Sequence, residues 1–205
     1  MSAPNAGEQS GLRVRHRHRT MDAIIDAALA LFEERGYDAV PVEEIAAAAD
    51  VSPRTFYRYF PAKEDVLVLD PQTDAAIRAA LAEERPGESD ADFVARVLIA
   101  ALLARRPDRA RRGFHLIQTT PALQARIYQL VWRDQEIIVQ ALLARGAPGP
   151  EAELRARLVT VAVSDAVRIG TGAWVRAGQQ GSVEEHCRHA LDLLRDALTA
   201  AGPDR

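Results

Sequence analysis

The sequence is short of several things, and each shortage narrows its class. It has one cysteine, Cys187, among 205 residues, so an internal disulfide framework is excluded and a reducing compartment is expected. No apolar run is long enough to span a bilayer: the longest, Val94 to Ala104, is broken by Arg96. The first 19 residues are polar and then arginine-rich, without the apolar core of a signal peptide. A soluble, cytoplasmic chain with no membrane partner is expected. Period-two alternation of β-branched residues is missing, which removes any expectation of a sheet. There are no internal repeats, no glycine-rich phosphate loop and no Glu-x-x-His pair, so the sequence signals of nucleotide-binding and di-metal helical enzymes are absent.

What is present is an ordinary globular composition, 48% apolar and 27% charged, enough to bury a core in one or two domains. The net charge of −3 does not by itself suggest a nucleic-acid partner. The charges are sorted into blocks, however. Arg13, Arg15, Arg17 and Arg19 fall within seven residues without an acid, while residues 22–50 carry eight acids and only Arg35. Residues 51–63 then carry Arg54, Arg58 and Lys63, again with no acid. A phosphate backbone responds to the field within ~8–10 Å, so local blocks matter more than the total. The dominance of arginine, 25 against one lysine, reads as coding bias.

Residues 1–16 read as a flexible basic arm. From Arg17 to Arg35, Ile24, Ile25, Ala28, Leu29, Leu31 and Phe32 share one helical stripe, which Gly36 ends. A short second helix is expected over 43–49 after Pro41. Asp50-Val51 makes a turn, Ser52 is a good N-cap and Pro53 suits the first position of a third helix that runs to Phe60. Pro61 breaks the chain, and another helix begins near Ala62. Further helices are expected near 72–85, 90–105, 107–118, 121–145, 150–178 and 183–201, separated by Pro or Gly at 71, 86–87, 107, 121, 146–150 and 178–181. The chain is therefore all-α, with about nine helices. A helix-turn-helix domain is placed at 17–64 and a larger helical domain at 65–205.

Two short helices joined by a tight turn form a helix-turn-helix. Ala46 is small where the helices approach, and Ile45, Val51, Phe56 and Phe60 hold the second helix to the first. Its other face projects Arg54, Thr55, Tyr57, Arg58 and Tyr59, which pair donors for base edges with groups for phosphates. The alternative is a plain helical hairpin whose aromatics are all core.

These residues resemble the N-terminal domain of tetracycline-repressor (TetR) family regulators. The resemblance rests on Gly36-Tyr37, Ile45-Ala46, Val51-Ser52, the run Thr55-Phe56-Tyr57-Arg58-Tyr59-Phe60, and Lys63. Asp50 stands where the family usually has Gly, and Pro41 where a Thr or Ser often caps the second helix. The resemblance implies that Pro53, Arg54 and Thr55 approach base edges, with Arg54 bidentate to guanine. It implies phosphate or sugar contacts for Tyr57, Arg58 and Tyr59, a phosphate clamp at Lys63, and backbone or minor-groove contacts for arm residues such as Arg17. Double-stranded DNA with a palindromic operator, a second copy of the chain and a small-molecule effector are the implied partners. The helices over 150–178 and 183–201 would form the dimer bundle.

In the larger domain, Phe114, His115, Gln118, Tyr128, Trp132 and Trp174 are candidates to line an apolar effector cavity; the alternative for each is core packing or surface. The segments 116–127 and 141–146 weakly resemble regulators with an acyl-CoA-like ligand. The arginines of 105–112 read either as a solvated interhelix turn or as a phosphate site. His186, Cys187 and His189 do not share one helical face and lack an acidic partner, so no metal is expected; Val183, Cys187, Leu191 and Leu194 instead space as a helix–helix seam. No cofactor is expected. The leading function is a ligand-responsive DNA-binding repressor that releases its operator on binding an apolar or amphipathic effector. An activator or dual regulator of the same family, an all-α enzyme and an interaction adaptor are the alternatives.

Overall fold

Ten α-helices and no strand make up residues 6–146 and 149–200, the part of the chain described by the computed structural model; side chains are described from residue 15. They divide into two compact units, residues 1–71 and 72–205.

The first unit is built on α1 (Ala6–Arg35). Met21, Ile24, Ile25, Ala28, Leu29 and Phe32 are its buried stripe, with Leu31 half-buried. Gly36, at φ +82°, adopts the left-handed backbone that ends the helix, and its amide donates to Phe32 O at 2.9 Å. At the other end α1 begins well before Arg17, so the arm expected over 1–16 is helical from residue 6, and residues 1–5 lie outside the described residues. Once the packed half has nucleated the helix, each further residue adds a hydrogen bond at no nucleation cost, and no proline intervenes after Pro4.

Next come α2 (Val42–Ala48), α3 (Pro53–Tyr59) and α4 (Asp65–Val68). Pro41 sits at the α2 N-cap with no side-chain hydrogen bond, as expected from its missing hydroxyl. Asp50 makes the turn at φ +53°, the left-handed conformation that Asp tolerates better than most residues. Ile45, Ala46, Phe56, Phe60 and Val66 are fully buried with the α1 stripe. Each such aromatic removed from water stabilises the fold by about 1.5–3 kcal/mol. All four residues of α4 are buried and α4 packs on α1, so this unit ends near Pro71 rather than at residue 64.

The second unit contains α5 (Pro71–Ala82), α6 (Asp90–Leu103), α7 (Pro107–Thr119), α8 (Pro121–Arg145), α9 (Ala152–Arg176) and α10 (Val183–Ala200). Helix α9 is its hub, touching α6, α7, α8 and α10. By length and composition α9 could cross a membrane, yet half of its apolar window is buried inside this core. Helix α6 is covered on most sides: Phe93, Val94, Ala95, Val97 and Ile99 are buried, Leu98 and Ala100 to Leu102 half-buried, and Leu103 is 49% exposed. The expected seam between α9 and α10 is present at Cys187 and Leu191. Its closeness depends on Gly170, where a Cβ would stand 2.7 Å from both Cys187 Cα and His186 O. The Cys187 thiol donates toward Val167 O at 3.5 Å and lies 3.6 Å from the Thr171 hydroxyl. Burial pushes that thiol up from its ordinary pKa, so it is a packing group.

Candidate nucleic-acid interface

Helix α3 is positioned by local chemistry at both ends. Ser52 has an extended backbone, and its Oγ accepts the Thr55 amide at 3.1 Å while pairing with Thr55 Oγ1 at 3.0 Å. Pro53 occupies the first turn, where its missing N–H costs nothing. At the far end the Phe60 amide donates to Phe56 O at 2.8 Å. Phe56 and Phe60, both fully buried with ring centroids 5.7 Å apart, turn the helix onto the core.

The opposite face is the one expected. Pro53, Arg54, Tyr57 and Arg58 are exposed, Tyr57 by 49%. Thr55 is half-buried, and its hydroxyl is engaged in the cap, leaving its methyl group and remaining lone pair for a neighbour. Tyr59 is half-buried, its ring approached by the guanidinium of Arg58 at 4.9 Å and of Arg17 at 5.8 Å. Arg17 is thus joined to the recognition helix, a contact across the unit that sequence spacing could not reveal.

Lys63, the expected phosphate clamp, is anchored within the first unit. Its ammonium donates to Tyr37 O at 2.9 Å and Val40 O at 3.1 Å, and lies 4.1 Å from the Tyr37 ring centroid. Two of its three donors close the loop that links α1 to α2. Tyr37 itself is buried, and desolvation, with the nearby Glu64, Asp38 and Asp65 carboxylates, drives its phenol pKa upward. Sequence spacing marked Gly36-Tyr37 and Lys63 as a motif without showing that they meet.

The six candidate effector residues are not brought together. Trp174 is buried, stacks edge-on with half-buried Phe114 at 6.1 Å and donates to Gly181 O at 3.2 Å. Gln118 reaches the same region, near Gly172, with its own backbone O accepting from Gln124 at 2.7 Å. His115 is exposed. Tyr128 and Trp132, at 53% and 77% exposure, sit on the outer face of α8 instead. They are a turn apart on that helix, so they move outward together.

The arginines of 105–112 are largely directed at protein. Arg109 is buried, Arg106 pairs with Asp108 at 3.5 Å, and Arg111 lies 5.7 Å from the Trp174 ring centroid. Two buried hydroxyls escaped the sequence reading: Thr160 Oγ1 and Ser164 Oγ, one turn apart on α9, have no hydrogen-bond partner among the described residues. No periodicity argument marks them, because a small hydroxyl residue fits an inward stripe.

The profile of bacterial regulatory proteins of the tetR family matches residues 24–68, which span the packed half of α1 through α4. Over 211 aligned residues the chain is 30% identical to the HTH-type transcriptional regulator TcmR of Streptomyces glaucescens, covering 97% of this chain and 92% of TcmR. It is 43% identical over 72 residues to the HTH-type transcriptional repressor KstR of Mycolicibacterium smegmatis, 31% of this chain and 34% of KstR. Among solved structures, NalD, the secondary repressor of the MexAB-OprM multidrug efflux pump in Pseudomonas aeruginosa, superposes with a TM-score of 0.53 at 22% identity, over 86% of this chain and 96% of NalD. With that alignment running through nearly the whole chain, and with a capped helix-turn-helix whose outer face is basic and aromatic, this chain belongs to the TetR family and is a DNA-binding transcriptional regulator.

Proposed function

We propose that the chain is a ligand-responsive repressor that binds a palindromic or near-palindromic operator as a homodimer. The observation that carries the DNA half is the outer face of α3, with Arg54 in its first turn and Tyr57 and Arg58 one turn on. Arg54 is assigned to guanine O6 and N7, with Pro53 and Thr55 beside the base edges. Arg17, Tyr57, Arg58 and Tyr59 are assigned to phosphate and sugar.

Dimer formation is supported by the outer face of α9. Leu154, Leu158, Val161 and Ile169 recur at helical spacing and are 48–62% exposed, and Leu193 and Leu198 of α10 are exposed as well. An apolar face of this extent on a soluble helix marks a partner surface, and a second copy makes it self-complementary. Tyr128 borders this face through Arg168, whose guanidinium is 5.9 Å from its ring centroid. A two-fold pair would set its recognition helices on half-sites ~34–36 Å apart or a multiple of that.

The effector is assigned to the interior of the second unit, as a small apolar or amphipathic molecule. The unpartnered Thr160 and Ser164 hydroxyls supply neutral hydrogen-bonding groups there. An acyl-CoA-like molecule is the first class to test, with its chain among the helices and its phosphates near the exposed Arg106 and Arg111. Such a ligand releases DNA only by binding the DNA-incompatible arrangement more tightly, and typical coupling weakens DNA affinity roughly 5–150-fold.

The deciding experiment is selection of genomic fragments by the purified chain, followed by mobility shifts with the wild type and Arg54→Ala. The wild type should prefer selected over random duplexes by ~10³-fold or more at physiological salt. Arg54→Ala should relax preference at one position per half-site. Equal retention of random and genomic fragments would end the proposal.

A further inference from the structure

Helix α9 breaks a rule that the other helices keep. A threonine inside a helix places its hydroxyl on the carbonyl one turn back or on another nearby group. Thr20, Thr119, Thr171 and Thr199 each donate to the carbonyl four residues back at 2.9–3.0 Å. Thr55 shares the Ser52 cap, and Thr73 donates to Ala101 O at 3.5 Å. Thr171 makes its bond on α9 itself, from a buried position. Thr160 makes none among the described residues, although it is fully buried, and neither does Ser164, which is 7% exposed. The two are one turn apart, so both hydroxyls belong to one face of α9. A buried hydroxyl without a partner has given up water for nothing, and such groups are rare in native interiors. Two in succession mark a place where hydrogen bonds are held for a ligand.

Helix α8 runs beside this stretch. On one side of the pair Arg157 Nη1 donates to Glu136 at 2.9 Å, and on the other the Arg168 guanidinium lies 5.9 Å from the Tyr128 ring centroid. The α8 segment 128–136 therefore flanks Thr160 and Ser164. That segment is loosely covered: Leu130, Val131, Asp134 and Gln135 are half-buried, whereas Ile138, Val139 and Leu142 further along are buried. The pair sits where a sealed core gives way to a part of the helix pair open enough to admit a small molecule. The surroundings also select its charge. Arg157 and Arg168 are both 46% exposed and are occupied by Glu136, Glu153 and Asp165 at 2.9 Å. The half-buried ionic group of the flanking segment is Asp134, a carboxylate. An anion at the pair would lose its hydration and gain no buried cation. A neutral oxygen suits it, because a serine or threonine hydroxyl donates to a carbonyl and accepts from a hydroxyl alike.

We propose that Thr160 and Ser164 are the paired polar anchor of a small-molecule site between α8 and α9. Its ligand is a neutral, mostly apolar compound that carries two hydroxyl or carbonyl oxygens about 6 Å apart, the rise of four helical residues, in its buried part. This rests on the reading of the second unit as the effector domain and narrows it. A plain hydrocarbon chain, that of an ordinary acyl-CoA included, leaves both hydroxyls unpaired and is discriminated against, as any site built to hydrogen-bond rejects an analogue lacking the group.

The test uses the full chain and three probes of one shape. They are naphthalene, naphthalene-2,3-diol with adjacent oxygens, and naphthalene-1,5-diol, whose oxygens stand about as far apart as the two hydroxyl-bearing residues. Isothermal titration calorimetry should show the wild type binding the 1,5-diol ~10-fold or more tightly than naphthalene, with the 2,3-diol between. T160V/S164A keeps the shape of the site closely and should melt at or above the wild-type temperature. It should bind naphthalene at least as well as the wild type and lose the preference for the 1,5-diol, while T160S, which keeps the hydroxyl, should retain it. A wild type that binds naphthalene and the 1,5-diol alike, or none of the three, would overturn the proposal. So would a preference that survives in T160V/S164A. Operator release is read in the same samples by mobility shift. If dodecanoyl-CoA releases DNA equally from the wild type and from T160V/S164A, the effector reading stands and the anchor falls. If the 1,5-diol binds through the pair and leaves DNA affinity unchanged, the site stands and its role in operator release fails.

Discussion

Glu88→Gln tests how the second unit holds its corner together. The Glu88 side chain is only 7% exposed and lies in the segment between α5 and α6. Its two oxygens accept from Arg96 Nε at 2.7 Å and Nη2 at 2.8 Å, and Arg145 Nη1 approaches at 3.5 Å. Arg96 also donates to Ala80 O at 2.7 Å and Glu83 O at 3.2 Å, near the end of α5, so one guanidinium ties that end to α6. The Phe93 ring is flanked by Arg145 at 4.1 Å and Arg96 at 5.3 Å. Glutamine keeps one carbonyl acceptor and loses the charge. One charge-assisted bond, worth about 1.5–3 kcal/mol, is lost, and the other falls to the neutral value of about 1 kcal/mol. Together these span ~2–5 kcal/mol, and because Arg96 keeps its backbone acceptors the expected cost is at the lower end, ~2–3 kcal/mol.

Urea unfolding followed by Trp174, buried in the same unit, reads that cost. In a thermal melt it corresponds to roughly 5–10 °C. The arginines, Arg96 foremost through its hydrogen bonds, hold the Glu88 carboxyl below its ordinary value against the opposing effect of burial. A depressed carboxyl stabilises the fold above its unfolded pKa of about 4.3 and loses that contribution as pH falls through the folded value. The wild-type advantage should therefore be full at neutral pH and shrink below about pH 4. A variant within about 0.5 kcal/mol of wild type at pH 7 would refute the reasoning, since that is the range of an ordinary surface substitution.

Gly170→Ala should destabilise the second unit by about 1–2 kcal/mol despite alanine's better helix propensity, because its Cβ meets α10 backbone that cannot rotate away; an unchanged or raised melting temperature would refute the close crossing. Lys63→Ala should lower the stability of the first unit, measured by chemical denaturation, by removing the bonds to Tyr37 O and Val40 O, and it should flatten the salt slope of DNA binding by less than one. A full unit of slope with unchanged stability would restore the phosphate clamp. Thr160→Val should raise stability by about 1 kcal/mol, since it replaces an unpartnered buried hydroxyl with a methyl group of the same shape; destabilisation in calorimetry would mean that the hydroxyl has a partner.

The DNA-reading half was legible in the chain because its signals are local. Ser52 caps, Pro53 starts, Asp50 turns and Gly36 stops within one or two turns of the residues they act on, so spacing alone places them. The helices of the second unit were legible for the same reason, since prolines and glycines mark their ends. What spacing could not decide is which neighbour covers each face. Trp132 and Trp174 looked equivalent as cavity residues, yet one is 77% exposed and the other 3%, because the packing around α9 encloses one and leaves the outer face of α8 open. Spacing did not show that the carbonyls of Tyr37 and Val40, in the loop after α1, accept from the Lys63 ammonium. Gly170 carried no periodic signal, and its role exists only because α10 crosses there. Local sequence determines where helices begin and end, through backbone hydrogen bonds closed over four residues; side-chain environment depends on segments distant in the chain, and only the assembled packing decides it.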